Sequence, residues 1–214
     1  MRERQSLKGR KVKRDSISKV SLNLIKELKD RTSAGIMDCK RALLSVNGDM
    51  EAAIDYLRKK GIAKATERID KSTGEGVIES YIHPGARLGV LLELRCETDF
   101  TARTPEFKQL AKNLAMQVAA SNPQWILRDE IPKEKIEHEL EIYKAQGKEA
   151  GKQGNVIDKI AHGKLEKFYK EVCLLEQPFI KDSEISVEEL IKDYISKLRE
   201  NIRVKRFTRF KIEE

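Results

Sequence analysis

The sequence predicts an α+β protein. An N-terminal bundle of three helices leads through a linker helix into a core where a three-stranded antiparallel sheet packs with helices. Three observations carry that expectation. Between residues 20 and 60 the apolar side chains recur at helical spacing. From Val77 to Cys96 the period drops to two around a short turn-rich loop. After a long helical interval, residues 202–212 alternate again.

Each element has its own signal. Val20, Leu24, Ile25 and Leu28 mark the first helix, with Ser18 or Ser21 as its cap, and Thr32-Ser-Ala-Gly35 breaks it. Ile36, Cys39 and Leu43 form a second stripe that Asn47-Gly48 ends. Asp49 caps a third helix carrying Met50, Ala53, Ile54 and Leu57. Residues 62–71 read as a polar helical linker. Strands 77–82 and 90–96 flank His83-Pro-Gly-Ala-Arg87, a hairpin loop. Val90, Leu92, Leu94 and Cys96 fall on one face of the second strand, and Leu91, Glu93 and Arg95 on the other. A turn at Thr98-Asp99-Phe100 then sets a large aromatic beside a carboxylate.

A clear helix follows, with Thr104 as cap, Pro105 in its first turn and Asn122-Pro123 as its stop. Its apolar face is Phe107, Leu110, Ala111, Leu114, Ala115 and Val118. Residues 133–150 read as a charged helix, 157–171 as another, 174–179 as a short extended piece, and 187–198 as the last helix. In the terminal strand the pattern sets Ile202, Val204, Phe210 and Ile212 on one face. Arg203, Lys205, Arg209 and Lys211 share the other, with Phe207 interrupting this basic side. The resulting divisions are a basic arm at 1–17, a docking module at 18–60, a linker at 61–75 and a core at 76–214.

Charge is unevenly placed. The net charge is +8, but residues 1–19 hold eight basic and two acidic side chains, so the remainder carries only +2. The basicity belongs to an arm, a segment able to touch RNA or a membrane surface, rather than to the folded body. No apolar run approaches the ~20 residues of a membrane helix. Three widely spaced cysteines make no disulfide framework, which fits a reducing, cytoplasmic setting.

No catalytic constellation is visible. His83, His138 and His162 stand apart, none at metal-ligand spacing from a cysteine or carboxylate. No phosphate-loop, dinucleotide or Cys-x-x-Cys motif occurs, and Gly74-Glu-Gly76 reads as a hinge. Cys39 and Cys96 lie on apolar faces, as buried small hydrophobes. The expectation is a binding protein without a cofactor, not an enzyme.

Two longer segments resemble a known family. Leu28-Lys-Asp-Arg-Thr-Ser-Ala-Gly-Ile-Met-Asp-Cys-Lys-Arg-Ala-Leu43 is similar to the N-terminal signature of the elongation factor Ts family. Glu93-Leu-Arg-Cys-Glu-Thr-Asp-Phe-Thr-Ala-Arg103 is similar to its second signature, and Val172-Cys-Leu-Leu-Glu-Gln-Pro-Phe-Ile-Lys-Asp182 looks like a further family segment. The resemblance spans residues 18–212 and leaves the arm outside.

The resemblance implies a guanine-nucleotide exchange factor for elongation factor Tu, one that expels GDP and its Mg²⁺. It implies a ubiquitin-associated-type N-terminal bundle. It places the nucleotide-expelling element at Thr98, Asp99, Phe100 and Thr101, with Phe100 as a wedge into the partner and Asp99 fixing the approach. A second contact falls on Lys29, Ile36 and Met37, although Ile36 fits the bundle core equally well. Ser33, Ile36, Lys29 and Thr101 depart from the residues usual at their positions, and Ser33 strains its turn if φ is positive. Longer family members carry two copies of the core and a protruding coiled coil. This chain has room for one copy and no heptad run, and short members pair two chains, so a homodimer through the core is expected. The reading that competes is an RNA- or ribosome-binding protein using the arm and the basic side of the terminal strand.

Overall fold

The computed structural model of the chain describes residues 20–32, 34–66, 68 and 70–212, and of 62–66 the backbone only. The basic arm, Ser18 and Ser33 lie outside the described residues. In chain order the elements are α1 (Leu22–Thr32), α2 (Ile36–Ser45), α3 (Met50–Thr66), β1 (Glu75–Ile82), β2 (Leu88–Cys96), α4 (Asp99–Arg103) and α5 (Pro105–Ser121). They continue with α6 (Lys133–Glu149), α7 (Asn155–Val172), β3 (Pro178–Phe179), β4 (Asp182–Ser186), α8 (Val187–Leu198) and β5 (Arg203–Lys211). The fold is α+β, as the change of period predicts.

The three N-terminal helices close on a small core of Ile25, Leu28, Cys39, Ala42, Leu43 and Ala53. Their caps are those the sequence names: the Ser21 hydroxyl accepts the Leu24 N–H at 3.2 Å, and the Asp49 carboxylate accepts that of Ala52 at 2.9 Å. The linker helix is not separate. α3 runs without interruption through Gly61 to Thr66. A glycine inside a helix costs ~1 kcal/mol against alanine, and here packing explains it. A side-chain carbon at Gly61 would lie 2.8 Å from the Ser196 hydroxyl of α8. The small bundle thus rests its third helix on α8, with Arg58 reaching Glu189 at 4.0 Å beside the contact.

The three-stranded sheet has the order β1-β2-β5, antiparallel throughout. Val90, Leu92, Leu94 and Cys96 point into the main core, where Phe107, Leu110, Leu114 and Val118 of α5 and Val187, Ile191 and Ile195 of α8 meet them. Thr104 and Pro105 begin α5 as expected, and Asn122 ends it in the left-handed conformation, φ 47°.

β5 departs from its sequence pattern. Glu93 pairs with Arg206 but its neighbour Leu94 pairs with Val204, so Lys205 is an extra residue in a β-bulge. One inserted residue exchanges the two faces beyond it. Val204 is buried, Phe207 packs on the core, and Phe210 and Ile212 turn out to solvent. Arg209 turns in and donates from Nε to the Ala119 carbonyl at 3.2 Å. The terminal strand therefore has no continuous basic side.

The outer face of the sheet carries exposed Ile78, Ile82, Leu91 and Phe210. At one end of that face, Glu93 accepts from Arg95 Nε on its own strand and from Arg206 Nε on β5, both at 2.6 Å. These two guanidinium donors hold its carboxyl below the ordinary carboxylate range.

α6 and α7 form an antiparallel helical hairpin, which the charged sequence of 133–150 does not announce. Gly147 sits against Ile157, and Lys144 pairs with Asp158 at 3.0 Å. Its root is a separate core of Ile131, Leu165, Phe168, Tyr169, Val172 and Cys173. There Arg128 bridges Glu166 and Glu176 and stacks on Tyr169 at 4.3 Å. The family-like segment at 172–182 forms a 3₁₀ turn and the β3–β4 hairpin instead of one extended piece. Buried Gln117 fastens it, accepting the Ile180 N–H at 2.8 Å and donating to Gln177 and to the Pro178 carbonyl, each at 3.1 Å.

Candidate functional site

β2 ends at Cys96, and the chain reverses into α4 within two residues. Thr98 makes the reversal. Its backbone is extended, φ −127° and ψ 154°, and its hydroxyl oxygen accepts the Thr101 N–H at 3.3 Å as the N-cap of α4. In the single turn that follows, Thr101 and Ala102 face the interior and are buried. Asp99, Phe100 and Arg103 face water. The Phe100 ring is 79% exposed, the most exposed large apolar side chain among the described residues. Asp99 pairs with Arg103 across the turn at 2.9 Å. An exposed pair of this kind holds by only ~0–1 kcal/mol, so either partner is free to exchange it for another charge.

A five-residue helix does not stand alone; this one is held from below. The Glu200 carboxylate, just past α8, accepts the backbone N–H of Glu97 at 3.1 Å and of Thr98 at 3.0 Å. It also accepts the Thr98 hydroxyl at 2.6 Å, and the Thr101 side chain adds a further bond. Burial alone would raise the Glu200 carboxyl. The bonds from Thr98, Thr101 and the two backbone amides outweigh it and hold the group below its ordinary value of 4.5. A carboxyl depressed on folding stabilises fully above its unfolded pKa, and that hold is released only as pH falls through the lower folded value. At neutral pH the turn is locked.

Glu97 completes the lock in the other direction. Its carboxylate accepts the Asn201 N–H at 2.6 Å and Arg68 Nη1 at 3.3 Å. Buried Asn201 donates from its side chain to the Lys71 carbonyl at 2.7 Å. From within the sheet, the Cys96 thiol donates to the Thr98 carbonyl at 3.1 Å. Burial, reinforced by the Glu200 charge, pushes that thiol up to about 11 and keeps it protonated, as a donor.

The second predicted patch lies on the helical bundle. Lys29 is exposed on α1, and Ile36 and Met37 are exposed at the start of α2. Ile36 therefore belongs to the surface and not to the bundle core. The turn before it approaches the core: a side-chain carbon at Gly35 would lie 3.6 Å from the guanidinium of Arg199, the residue preceding Glu200. Of the four residues expected at the tip, Asp99 and Phe100 project together, Thr98 shapes the turn, and Thr101 sits beneath it. Glu97, Glu200 and Asn201 were not foreseen. Glu97 adjoins the motif, but nothing in the sequence links Glu200 or Asn201 to a turn about a hundred positions away.

The arrangement offers a surface for contact. Among the described residues no group of three or more His, Cys, Asp or Glu side chains is placed to hold a metal ion. A cleft of about 770 Å³ between the bundle and α8 is lined by charges of both signs, including Arg31, Asp38, Arg58, Glu189 and Arg199. No helix among the described residues is long and apolar enough to cross a membrane.

Comparison with known proteins matches residues 22–214 to the family model described as Elongation factor TS. Three curated relatives named Elongation factor Ts illustrate the similarity. That of Carboxydothermus hydrogenoformans is 52% identical over 195 residues, covering 91% of this chain and 90% of the relative. That of Syntrophomonas wolfei is 54% identical, covering 91% of each. That of Thermosipho melanesiensis is 53% identical, covering 91% of this chain and the whole of the relative.

Proposed function

The chain belongs to the elongation factor Ts family, and from that premise we propose that it is a guanine-nucleotide exchange factor acting on elongation factor Tu in translation elongation. It binds the GDP-bound GTPase, in the cytoplasm, and promotes release of GDP and Mg²⁺ so that GTP can bind. The observation that carries this reading is the Phe100 ring, held out in water on a turn whose backbone is locked by Glu200. A single exposed apolar residue is ordinary; one fixed on a hydrogen-bonded pedestal is preorganised for a pocket.

The physical route is mechanical. GDP is held by backbone amides around its phosphates and by Mg²⁺. Mg²⁺ demands near-ideal octahedral geometry, so a small displacement of its ligands weakens it sharply. Phe100 enters the partner, Asp99 directs the approach, Thr98 and Thr101 set the turn, and Lys29, Ile36 and Met37 dock the bundle on the same partner. Coupling between sites is reciprocal, so nucleotide binding in turn expels the exchange factor. The test is release of fluorescent GDP from elongation factor Tu. Catalytic amounts of this protein accelerate release, and excess unlabelled nucleotide dissociates the two proteins. No acceleration at a tenfold excess overturns the reading.

We further propose that two copies pair through the outer face of the sheet. Across β1, β2 and β5 the register sets Ile82, Gly89 and Phe210 in one row and Ser80, Leu91 and Thr208 in the next. Ile78 adds to the same exposed apolar surface. Exposed apolar residues gathered on one sheet face suit an interaction surface, and a two-fold pairing covers them with a copy of the same face. Light scattering at micromolar concentration then gives twice the chain mass, and Phe210→Asp, which sets a charge in the seam, gives the mass of one chain. A monomeric wild type removes the proposal.

A further inference from the structure

We infer that Glu200 is a positioning residue for nucleotide exchange: its carboxylate fixes the turn that presents Phe100 and keeps that turn in register with the helical bundle. The inference rests on the exchange reading above and assigns a role to a residue distant in sequence from both contact patches but bonded directly to the turn.

The geometry is specific to the turn. One carboxylate oxygen takes the two consecutive amides of Glu97 and Thr98, at 3.1 and 3.0 Å, and the other takes the Thr98 hydroxyl at 2.6 Å. Thr98 can then offer its own lone pair to Thr101 and start the helix one residue before Phe100. Without the carboxylate, two backbone donors at the bend face only water, and the cap hydroxyl loses the acceptor that orients it.

The same corner of chain reaches the other patch. Arg199 ends α8 in the left-handed conformation, φ 61°, uncommon for a residue with a side chain. That conformation sends residues 199 and 200 to different neighbours. The Arg199 guanidinium lies by Gly35, immediately before Ile36 and Met37, while Glu200 bonds to Glu97 and Thr98 at the turn that carries Phe100. Asn201 then ties the corner to Glu97 and to the Lys71 carbonyl at the end of the linker. One corner of the chain therefore holds the turn through Glu200 and lies beside the turn that begins the second surface. Precise relative placement is what a wedge requires, since misplacement of about 1 Å costs of order 100-fold in an oriented reaction.

The test compares Glu200→Ala and Glu200→Gln with the wild type and with Phe100→Ala. Each is titrated in the fluorescent-GDP release assay, so that the maximal rate and the half-saturating concentration are read separately. Hydrogen exchange at the Glu97 and Thr98 amides reports the turn directly. Glu200→Ala is expected to lower the maximal rate roughly 5- to 10-fold with the half-saturating concentration within about twofold of wild type, because docking by the bundle remains. Its two amides exchange at least tenfold faster while those of β2 remain protected. Glutamine keeps one acceptor oxygen for the two amides and sets its NH2 toward the Thr98 hydroxyl oxygen as a donor, so Glu200→Gln returns the rate to within about threefold of wild type. A maximal rate for Glu200→Ala within twofold of wild type overturns the inference, as does a glutamine variant as slow as the alanine one. If wild type gives no acceleration, the exchange reading fails first; if Phe100→Ala is fully active, the wedge is lost and the positioning role with it. If Phe100→Ala is inactive and Glu200→Ala is not, only the positioning role is lost.

Discussion

Replacing Phe100 by alanine is expected to slow the stimulated release of GDP from elongation factor Tu roughly 10- to 100-fold, with no loss of folded stability. The size follows from what the ring can deliver: burying a phenylalanine yields ~1.5–3 kcal/mol, and each ~1.4 kcal/mol is a factor of ten in rate. The absence of a stability effect follows from exposure. At 79% exposed the ring contributes little to its own fold, and the Glu200 and Thr98 bonds that shape the turn are made by neighbours. The melting temperature should therefore stay within about 2 °C of wild type. Phe100→Leu should retain part of the rate, since it keeps apolar volume but not the flat ring. Equal acceleration by wild type and Phe100→Ala removes the wedge from the mechanism. A loss of rate accompanied by unfolding would assign Phe100 to the core, contrary to its place on the surface.

The contrast between Phe100 and Thr101 marks the limit of what the sequence discloses here. Both stand in one short motif, and resemblance treats them alike. The sequence pattern predicts an aromatic at the end of a strand, but it does not tell an exposed ring from one folded inward. That depends on the pitch of α4, and the pitch depends on a carboxylate that arrives from Glu200. Local signals were legible at four helix ends, where Ser21, Asp49, Thr104 and Asn122 cap as side-chain chemistry says they should, but not at the Ser186–Glu189 capping box that begins α8. The face of β2 was legible because a strand buried on one side must alternate. The face of β5 was not. Val204 and Phe210 lie an even number of residues apart, which predicts one face, and the extra residue at Lys205 costs no visible irregularity in composition. The α6–α7 hairpin was hidden for a related reason. α6 gives the core at its root only Ile136, Leu140 and Tyr143 among many charges, and farther out the helices meet through Gly147 on Ile157 and the Lys144–Asp158 pair.

The two glycines at the start of β1 respond in opposite ways to the same substitution, and this is the largest stability effect expected of a single methyl group in the chain. The sequence reads Gly74-Glu-Gly76 as one hinge. In the fold only Gly74 is in the open, with nothing within 4 Å of an added side-chain carbon. Gly76 is paired in the sheet opposite Arg95, at φ 156°, and an added carbon there would lie 2.1 Å from the Leu94 carbonyl oxygen and 2.8 Å from the Arg95 Cα. Those atoms are backbone of the central strand and cannot swing away as a side-chain tip would. Gly76→Ala must push β1 off β2 at the end nearest Cys96, breaking the pairs at Glu75 and Gly76. A cost of about 2–4 kcal/mol is expected, a fall of roughly 5–15 °C in melting temperature. Gly74→Ala should be neutral or raise the midpoint slightly, because alanine has less unfolded freedom to lose. Thermal or urea unfolding of the two variants side by side decides it. Midpoints that agree within 2 °C would mean that β1 begins only at Val77 in solution. Because Cys96 leads directly into the Thr98 turn, the damage should also spread to function: Gly76→Ala is expected to lose exchange activity at temperatures where it is still folded, and Gly74→Ala is not.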